Sequence, residues 1–129
     1  MDRAELENFI GQHYSASPEY LWRQYPNYGV FRHYDNRKWF AVIMDIPANK
    51  LGLASDRTVN VVNFKCDPSM AEQLHEETGV FPGYHMNKKY WVSIALDGSA
   101  SDKLILRLLE ESYNITAPKI KNLKIKHCE

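Results

Sequence analysis

The chain has 129 residues, of which 44% are hydrophobic and 25% charged, a composition that excludes intrinsic disorder and is typical of one folded domain. Sixteen Lys and Arg balance sixteen Asp and Glu, so the net charge gives no sign of a nucleic-acid or membrane partner. Two cysteines exclude a disulfide framework, and no apolar run approaches the roughly 20 residues of a membrane span, so we expect a cytoplasmic protein with no membrane partner.

Two helix signals precede the first predicted strand. Asp2 is placed to cap a first helix over residues 2–14, in which apolar residues recur at helical spacing. Ser17-Pro18-Glu19 is typical of a helix start with proline in the first turn. We therefore expect a second, short helix that ends before Pro26.

From Gly29 the apolar pattern changes to one typical of strands, rich in β-branched and aromatic residues. A turn at Asp35-Asn36, followed by a dense apolar run over residues 38–46, predicts a β-hairpin. Residues 47–56 contain Pro, Asn and Gly and predict a loop. Residues 58–66 predict a third strand, which we expect to be antiparallel to the hairpin.

The next segment combines a helix, a loop and a strand. Asp67-Pro68 predicts the N-cap and first residue of a helix, which we expect to end at Gly79. Residues 81–87 are polar and rich in turn formers, so they predict a loop without regular structure. A fourth strand is predicted over residues 89–96, and Asp97-Gly98 then turns the chain.

Ser99 and Asp102 have the spacing of a capping box ahead of a last helix, which we expect to end near Tyr113. The strands are clustered in the chain and the helices flank them. This order predicts an α+β fold with an antiparallel or mixed sheet of about four strands and helices on one face. The strand residues that we expect in the core are Trp39, Ile43, Val61 and Ile94.

Lysines accumulate at the end of the chain. Between Thr116 and Glu129 four lysines stand against one acid, which gives this segment a charge of +3 and leaves −3 for the rest. We therefore expect a single domain over residues 1–117. Residues 118–129 are expected to form a lysine-rich tail that is mobile or adds a weak edge strand.

Two segments, residues 30–40 and 81–91, mix basic residues with aromatic ones. Exposed Lys and Arg neutralise phosphates, and aromatic rings stack on bases, so this composition allows a nucleic-acid contact. For the hairpin, the residue types alone favour another interpretation, in which the aromatic residues belong to the core and the charged turn keeps the protein soluble. The candidate contact residues, with one lysine from the end of the third strand, are Arg32, Arg37, Lys38, Lys65, Tyr84, His85, Asn87, Lys88 and Lys89.

Other chemistry is sparse in the sequence. Cys66 and His85 allow a nucleophile and base hypothesis, but no third orienting residue is evident from spacing. A buried, inert cysteine and a histidine that anchors a loop are the alternative. The five histidines share no metal-ligand spacing and there is no glycine-rich phosphate loop, so we expect no metal and no cofactor. Cys66 and Cys128 are expected to be free thiols.

The most distinctive short motifs lie in a fixed order over about residues 20–115. They are Phe31-Arg32-His33, Asn36-Arg37-Lys38-Trp39-Phe40, Lys65-Cys66-Asp67-Pro68, Pro82-Gly83-Tyr84-His85-Met86-Asn87-Lys88, Trp91, Leu96-Asp97-Gly98 and Ser112-Tyr113. In this order and at these separations they resemble the MmcQ/YjbR family. The resemblance implies a small bacterial α+β domain of the CyaY-like class, similar to the double-wing domain of a phage transcription factor that binds DNA.

We therefore expect a non-enzymatic DNA-binding or regulatory protein that contacts phosphates through a basic, aromatic-rich surface. A protein-interaction module that uses the same aromatic patch is the first alternative. The second is a small-molecule or enzyme site around Cys66 and His85, which requires a pocket that contains both. The neutral net charge counts against DNA, because nucleic-acid-binding domains are usually basic.

Overall fold

The structure, a computed structural model, describes residues 1–119; Cys128 and the predicted tail beyond Lys119 lie outside the described residues. Within residues 1–119 no helix is both long and apolar enough to cross a bilayer. A short 3-10 turn, Ala48–Leu51, follows the second strand. The helices and strands, in chain order, are α1 (Arg3–Tyr14), β1 (Gly29–Arg32), β2 (Trp39–Pro47), β3 (Thr58–Lys65), α2 (Pro68–Leu74), β4 (Val80–Pro82), β5 (Trp91–Ala95) and α3 (Asp102–Thr116).

The strands form one sheet in the order β1-β2-β3-β5-β4, and every neighbouring pair is antiparallel. The α+β prediction is confirmed, with five strands in the described chain instead of about four. The additional strand is β4, which lies partly in the segment predicted as a loop and places Phe81 opposite Ser93. Pro82 ends this strand because proline has no N–H to donate to the ladder.

The predicted second helix is wrong. Glu19 and Val30 exchange two backbone hydrogen bonds of 2.9 Å, so this part of the chain is extended beside β1. Residues 20–28 then run across the sheet, where Trp22 and Tyr28 pack on it. This pairing and packing outweigh the local helix-start signal of Pro18, because tertiary contacts override weak propensities.

Three helix boundaries also differ from those predicted. Asp67 caps α2 as expected, but the helix ends at Leu74, and the chain continues in turns to Gly79. Gly79 has a φ of +85°, and a Cβ there would lie 2.7 Å from the Ser99 Oγ, so only glycine fits. The N-cap of α3 is Ser101, whose side chain accepts from the third helical N–H, and the helix extends to Thr116.

Apolar side chains are buried on both faces of the sheet. The face covered by α1 and α3 carries the larger core, in which Phe31, Phe64 and Ile94 are fully buried. The opposite face, which we call the open face, carries a second cluster of Tyr28, Val30, Val42, Met44, Ile46 and Val61. No helix of the described chain covers this second cluster; the side chains packed on it come from loops and neighbouring strand positions.

Three of the four predicted core residues, Ile43, Val61 and Ile94, are fully buried, whereas Trp39 is half-buried. A bulge explains the difference. Phe31 pairs with Ala41 but Arg32 pairs with Trp39, so Phe40 is an extra residue in β2. Phe40 and Ala41 both pack against the helices, and Trp39 is therefore turned to the open face.

Candidate functional site

The two basic, aromatic segments of the sequence meet at one end of the sheet. β1 ends there and β2 begins there, joined by residues 33–38. β3 ends there at Lys65, opposite Trp91, where β5 begins, and β4 ends there before residues 83–90. We call this the turn end, and the sequence-predicted candidates from both segments lie at it.

Positive charge is concentrated at the turn end. Asp67 lies there too, but its carboxylate accepts from the Ser69 N–H and hydroxyl at the start of α2. Asp35 is the acid of the hairpin turn. The full chain is neutral, so the excess at this end is matched by acids elsewhere. The basic residues at the turn end are Arg32, Arg37, Lys38, Lys65, Lys88, Lys89 and Lys119.

The two arginines share one internal carboxylate. The Arg32 Nη2 lies 2.6 Å from the Glu19 Oε1, and the Arg37 Nη2 lies 3.0 Å from the other oxygen. The hydrogen bond from Arg32 holds the pKa of Glu19 below its usual value. Part of the positive charge predicted for phosphate contact is therefore compensated within the protein. Sequence reasoning missed Glu19 because it placed this residue in a helix.

The lysines are less constrained by acids. Lys38, Lys88 and Lys89 are exposed, and the Lys88 Nζ donates to the Gly83 C=O at 3.0 Å. Lys65 is half-buried, with its Nζ 5.9 Å from the ring centroids of both Tyr90 and Trp91. None of these lysines forms an ion pair within the described chain.

The loop that carries Tyr84 is held by two buried polar residues. The Tyr84 N–H donates to the Ser93 Oγ at 2.8 Å, and the Ser93 hydroxyl donates to the Asn63 Oδ1. The Asn63 amide in turn donates to the Tyr84 C=O at 3.3 Å. Both backbone groups of Tyr84 are thus satisfied by side chains of β3 and β5. The sequence signal was the position of Asn63 between Val62 and Phe64, two apolar residues of β3.

The rest of the loop is compact. Gly83 is required because a Cβ there would lie 2.9 Å from the Trp91 carbonyl oxygen. His85 has a φ of +60°, and its exposed ring lies 4.0 Å from the Tyr84 ring. The Asn87 Oδ1 accepts from the Lys89 N–H at 2.9 Å, which turns the chain back toward β5. Asn87 is therefore a turn-forming residue, and it is exposed.

The hairpin turn is attached to the end of α3. The buried His33 Nε2 lies 2.9 Å from the Thr116 Oγ1 and 3.0 Å from the Tyr113 C=O. The Asn36 amide donates to the Thr116 C=O at 2.9 Å. Burial lowers the pKa of His33, so the ring is held in its neutral form. These contacts fix residues 33–38 relative to the sheet.

A pocket of about 340 Å³ opens on the open face beside the loop. The Trp22 ring is nearly perpendicular to those of Tyr28 and Trp39, at centroid distances of 6.0 and 5.8 Å. Tyr25 stacks on Tyr28 at 4.6 Å, and burial raises the pKa of Tyr28 to about 12. We call this the aromatic pocket, and its lining residues are Trp22, Tyr25, Tyr28, Trp39, Met44, His85 and Met86.

Of the nine candidates, only His85 lines the aromatic pocket. Sequence analysis missed Trp22, Tyr25 and Tyr28 because it placed this part of the chain in or near a short helix. The density of aromatic residues between Tyr20 and Tyr28 was the signal that could have pointed to this pocket. Tyr84 packs on the open-face cluster next to this pocket.

Cys66 and His85 do not share a site. Cys66 is a buried free thiol, as predicted, and burial raises its pKa, which makes it a poor nucleophile. It lines a separate pocket with Lys65 and Tyr90, whereas His85 lines the aromatic pocket. Within residues 1–119 no three His, Cys, Asp or Glu side chains are arranged to hold a metal ion.

A family model, a relative and two solved structures are each similar to most of this chain. A family model described as YjbR matches residues 12–115. YyaQ of Bacillus subtilis (strain 168), described as an uncharacterized protein, is 35% identical over 116 residues, which cover 90% of this chain and 98% of YyaQ. A crystal structure of a Pseudomonas syringae protein has a TM-score of 0.89 at 38% identity and covers 91% of this chain and 100% of its own. A crystal structure of a Deinococcus radiodurans protein has a TM-score of 0.69 at 22% identity, covers 97% and 86%, and shares the fold.

Proposed function

The chain belongs to the YjbR family, and from this premise we propose that it is a non-enzymatic DNA-binding or regulatory protein that contacts phosphates at the turn end. The observation that supports this function is that seven basic side chains lie at one end of a neutral chain and outnumber the acids Glu19, Asp35 and Asp67 beside them. The likeness to a double-wing DNA-binding domain, noted from the sequence motifs, points the same way. The proposal includes a cytoplasmic location, a single domain over residues 1–117 and a tail that adds charge.

Local charge matters more than net charge for this function. Charges are screened over about 8–10 Å at physiological salt, so a phosphate at the turn end interacts mainly with the lysines near it. Acids at the opposite end of the sheet are farther from such a phosphate than this screening length, so they act on it only weakly. The neutral composition, which counted against DNA at the level of sequence, is therefore compatible with it.

The candidates divide into two groups by their contacts. Lys38, Lys88 and Lys89 are exposed and unpaired with acids in the described chain, so they are the proposed phosphate contacts. Arg32 and Arg37 are held by Glu19 and contribute less positive charge to an incoming strand. We therefore assign phosphate binding mainly to lysines, with the two arginines positioning the hairpin.

The salt dependence of DNA binding tests this assignment. Each phosphate contact releases counterions, and the logarithm of the binding constant falls with the logarithm of salt by about 0.9 per contact for duplex DNA. We expect Lys88→Ala with Lys89→Ala to make this slope shallower by about 2. Fluorescence anisotropy with a labelled oligonucleotide at several salt concentrations measures it, and thermal melting checks that the variant is folded.

The chain offers a matched control at the opposite end of the sheet. Lys50 follows β2 there, Lys103 lies in the first turn of α3 there, and both are exposed. Lys50→Ala with Lys103→Ala removes the same charge and should leave the slope unchanged. Equal slopes for the two double variants would contradict the proposal. Deletion of residues 118–129 should weaken binding without changing any sequence preference, and abolition of all binding by this deletion alone would assign the DNA contact to the tail.

A protein-interaction module is the second candidate. Tyr20, Leu21 and Tyr25 are 55%, 45% and 42% exposed, and large exposed apolar residues close together mark protein-binding surfaces. Binding of this kind would be insensitive to the Lys88 and Lys89 changes. It would be lost instead in a variant that carries Tyr20→Ala and Leu21→Ala.

A further inference from the structure

We propose that the aromatic pocket receives an unpaired nucleobase, so that the protein binds single-stranded DNA in preference to duplex. The inference rests on the proposed function and deepens it by naming the form of nucleic acid. The residues that carry this inference are different from the proposed phosphate-binding lysines. It also gives a role to the aromatic residues between Tyr20 and Tyr28.

The shape of the pocket suits a flat ring. Trp22 stands nearly perpendicular to Tyr28 and Trp39, and Tyr25 stacks on Tyr28, so ring faces and ring edges surround a space of about 340 Å³. Aromatic faces bind bases without strong sequence preference because every base has a π-face. The two methionines of the lining adapt to ligands of different outline.

The lining of the aromatic pocket favours a neutral ring over a positively charged amine as the ligand. No Asp, Glu, Lys or Arg lines the pocket. The nearest acid in β2, Asp45, follows Met44 and so points to the helix-covered face, where the Asn27 amide donates to it at 3.0 Å. Burial is the main cause of the raised pKa of Tyr28 and the charge of Asp45 the smallest, so a cation in the pocket would have no acid in direct contact. A neutral base has hydrogen-bonding partners available in the Tyr28 hydroxyl and the His85 ring.

The pocket and the lysines share one loop. His85 and Met86 line the pocket, and Lys88 and Lys89 follow within the same compact turn. A base held in the pocket thus leaves its sugar and phosphates beside the turn end. Bases in a duplex are paired and stacked, and one must be flipped out before it enters such a pocket, which costs a few kcal/mol. A single strand avoids that cost.

Three probes of equal phosphate number separate base binding from phosphate binding: a single-stranded DNA oligonucleotide, an abasic strand of the same length, and a duplex. We expect the single strand to bind about 5- to 100-fold more tightly than the abasic strand at the same salt concentration. The single strand should also quench tryptophan fluorescence, because Trp22 and Trp39 line the pocket. The abasic strand should not.

Variants assign the effect to the pocket. Tyr25 is exposed enough to be replaced without unfolding the protein, so Tyr25→Ala should lower the preference for bases and Tyr25→Phe should retain it. Tyr34 is 89% exposed at the turn end and does not line the aromatic pocket, so Tyr34→Ala is the matched control and should have no effect. All three variants should keep the salt dependence of the wild type.

The outcomes are distinguishable. If the abasic strand binds as tightly as the single strand, with normal salt dependence, the pocket inference is overturned and the DNA-binding proposal stands. The same holds if duplex is preferred and Tyr25→Ala has no effect. If no strand of any kind binds at low salt, the DNA-binding proposal itself is overturned, and the pocket inference with it. An RNA strand that shows the same dependence on bases and on Tyr25 supports the inference equally.

Discussion

Tyr84 is fixed through its backbone, by two polar side chains that are completely buried. Ser93 and Asn63 have no solvent exposure, and each hydrogen bond between them and Tyr84 satisfies a group that would otherwise be buried without a partner. Buried unsatisfied groups are costly, so the arrangement ties the position of the loop to the stability of the sheet. The pocket wall formed by His85 and Met86 depends on this attachment.

Ser93→Ala tests that dependence. The substitution leaves the Tyr84 N–H and the Asn63 Oδ1 without a partner, so we expect the free energy of unfolding to fall by about 1–3 kcal/mol. Chemical denaturation measures the change. Ser17→Ala is the control, because Ser17 is exposed and surface substitutions usually change stability by less than about 0.5 kcal/mol. Equal stability of the two variants would show that the Tyr84 attachment is unimportant.

His33 makes the stability of the hairpin turn depend on pH. Burial lowers its pKa in the folded protein, so between the folded and unfolded values the unfolded chain binds more protons. The stabilisation from neutral His33 is therefore fully present above the unfolded pKa of about 6.5 and is lost as the pH falls below it. We expect unfolding free energies at about pH 7.5 and pH 5.5 to differ less in His33→Gln than in the wild type. Equal differences would assign the pH dependence to other groups.

At the scale of elements, several correct predictions rested on local signals, although the local signals at Pro18 and Ser99 were misleading. The Asp2 cap, the hairpin turn and the Asp67 cap depend on neighbouring residues, so α1, the β1–β2 hairpin and the start of α2 were predicted correctly. The conformation of Glu19 depends on Val30, which is distant in sequence, and no local pattern shows that pairing. β4 is only three residues long, too short for alternation to be recognised.

β5 lies between β3 and β4 in the sheet, and its Ile94 side chain is fully buried. We expect Ile94→Ala to lower the free energy of unfolding by about 2–5 kcal/mol, because a cavity remains where the side chain was. Ile115→Ala removes the same atoms from a side chain that is 47% exposed and should cost far less. Thermal or chemical denaturation of the two variants compares them, and similar losses would mean that β5 is not central to the core.

The candidate site was predictable in part. The lysines of the hairpin and of the 83–90 loop were identified from residue types, and the sheet does bring them to one end. The aromatic pocket was not identified, because Trp22, Tyr28 and Trp39 come together only through the bulge in β2 and the path of residues 20–28 over the sheet. Such convergence depends on tertiary structure and leaves no periodic pattern in the sequence.

At the scale of the whole molecule, the protein has a basic end although its net charge is zero. Glu19 determines how much uncompensated positive charge that end carries, because its carboxylate pairs with Arg32 and Arg37. We expect Glu19→Gln to raise the affinity for an anionic strand at low salt and to steepen the salt dependence by about 1–2, as the freed guanidinium groups become available to phosphates. Anisotropy titrations measure this, and a variant with unchanged affinity and slope would exclude the two arginines from the interface.

The outer strands of the sheet, β1 and β4, affect whether separate molecules associate at high protein concentration. β1 has the backbone of Glu19 hydrogen-bonded along part of its outer edge, and β4 is short and ends in Pro82. Exposed strand edges are where sheets of separate molecules join and aggregate. Within residues 1–119, one outer edge of the sheet is thus partly occupied by the chain itself and the other is short. This geometry disfavours self-assembly through strand addition in a chain that has no net charge to provide repulsion.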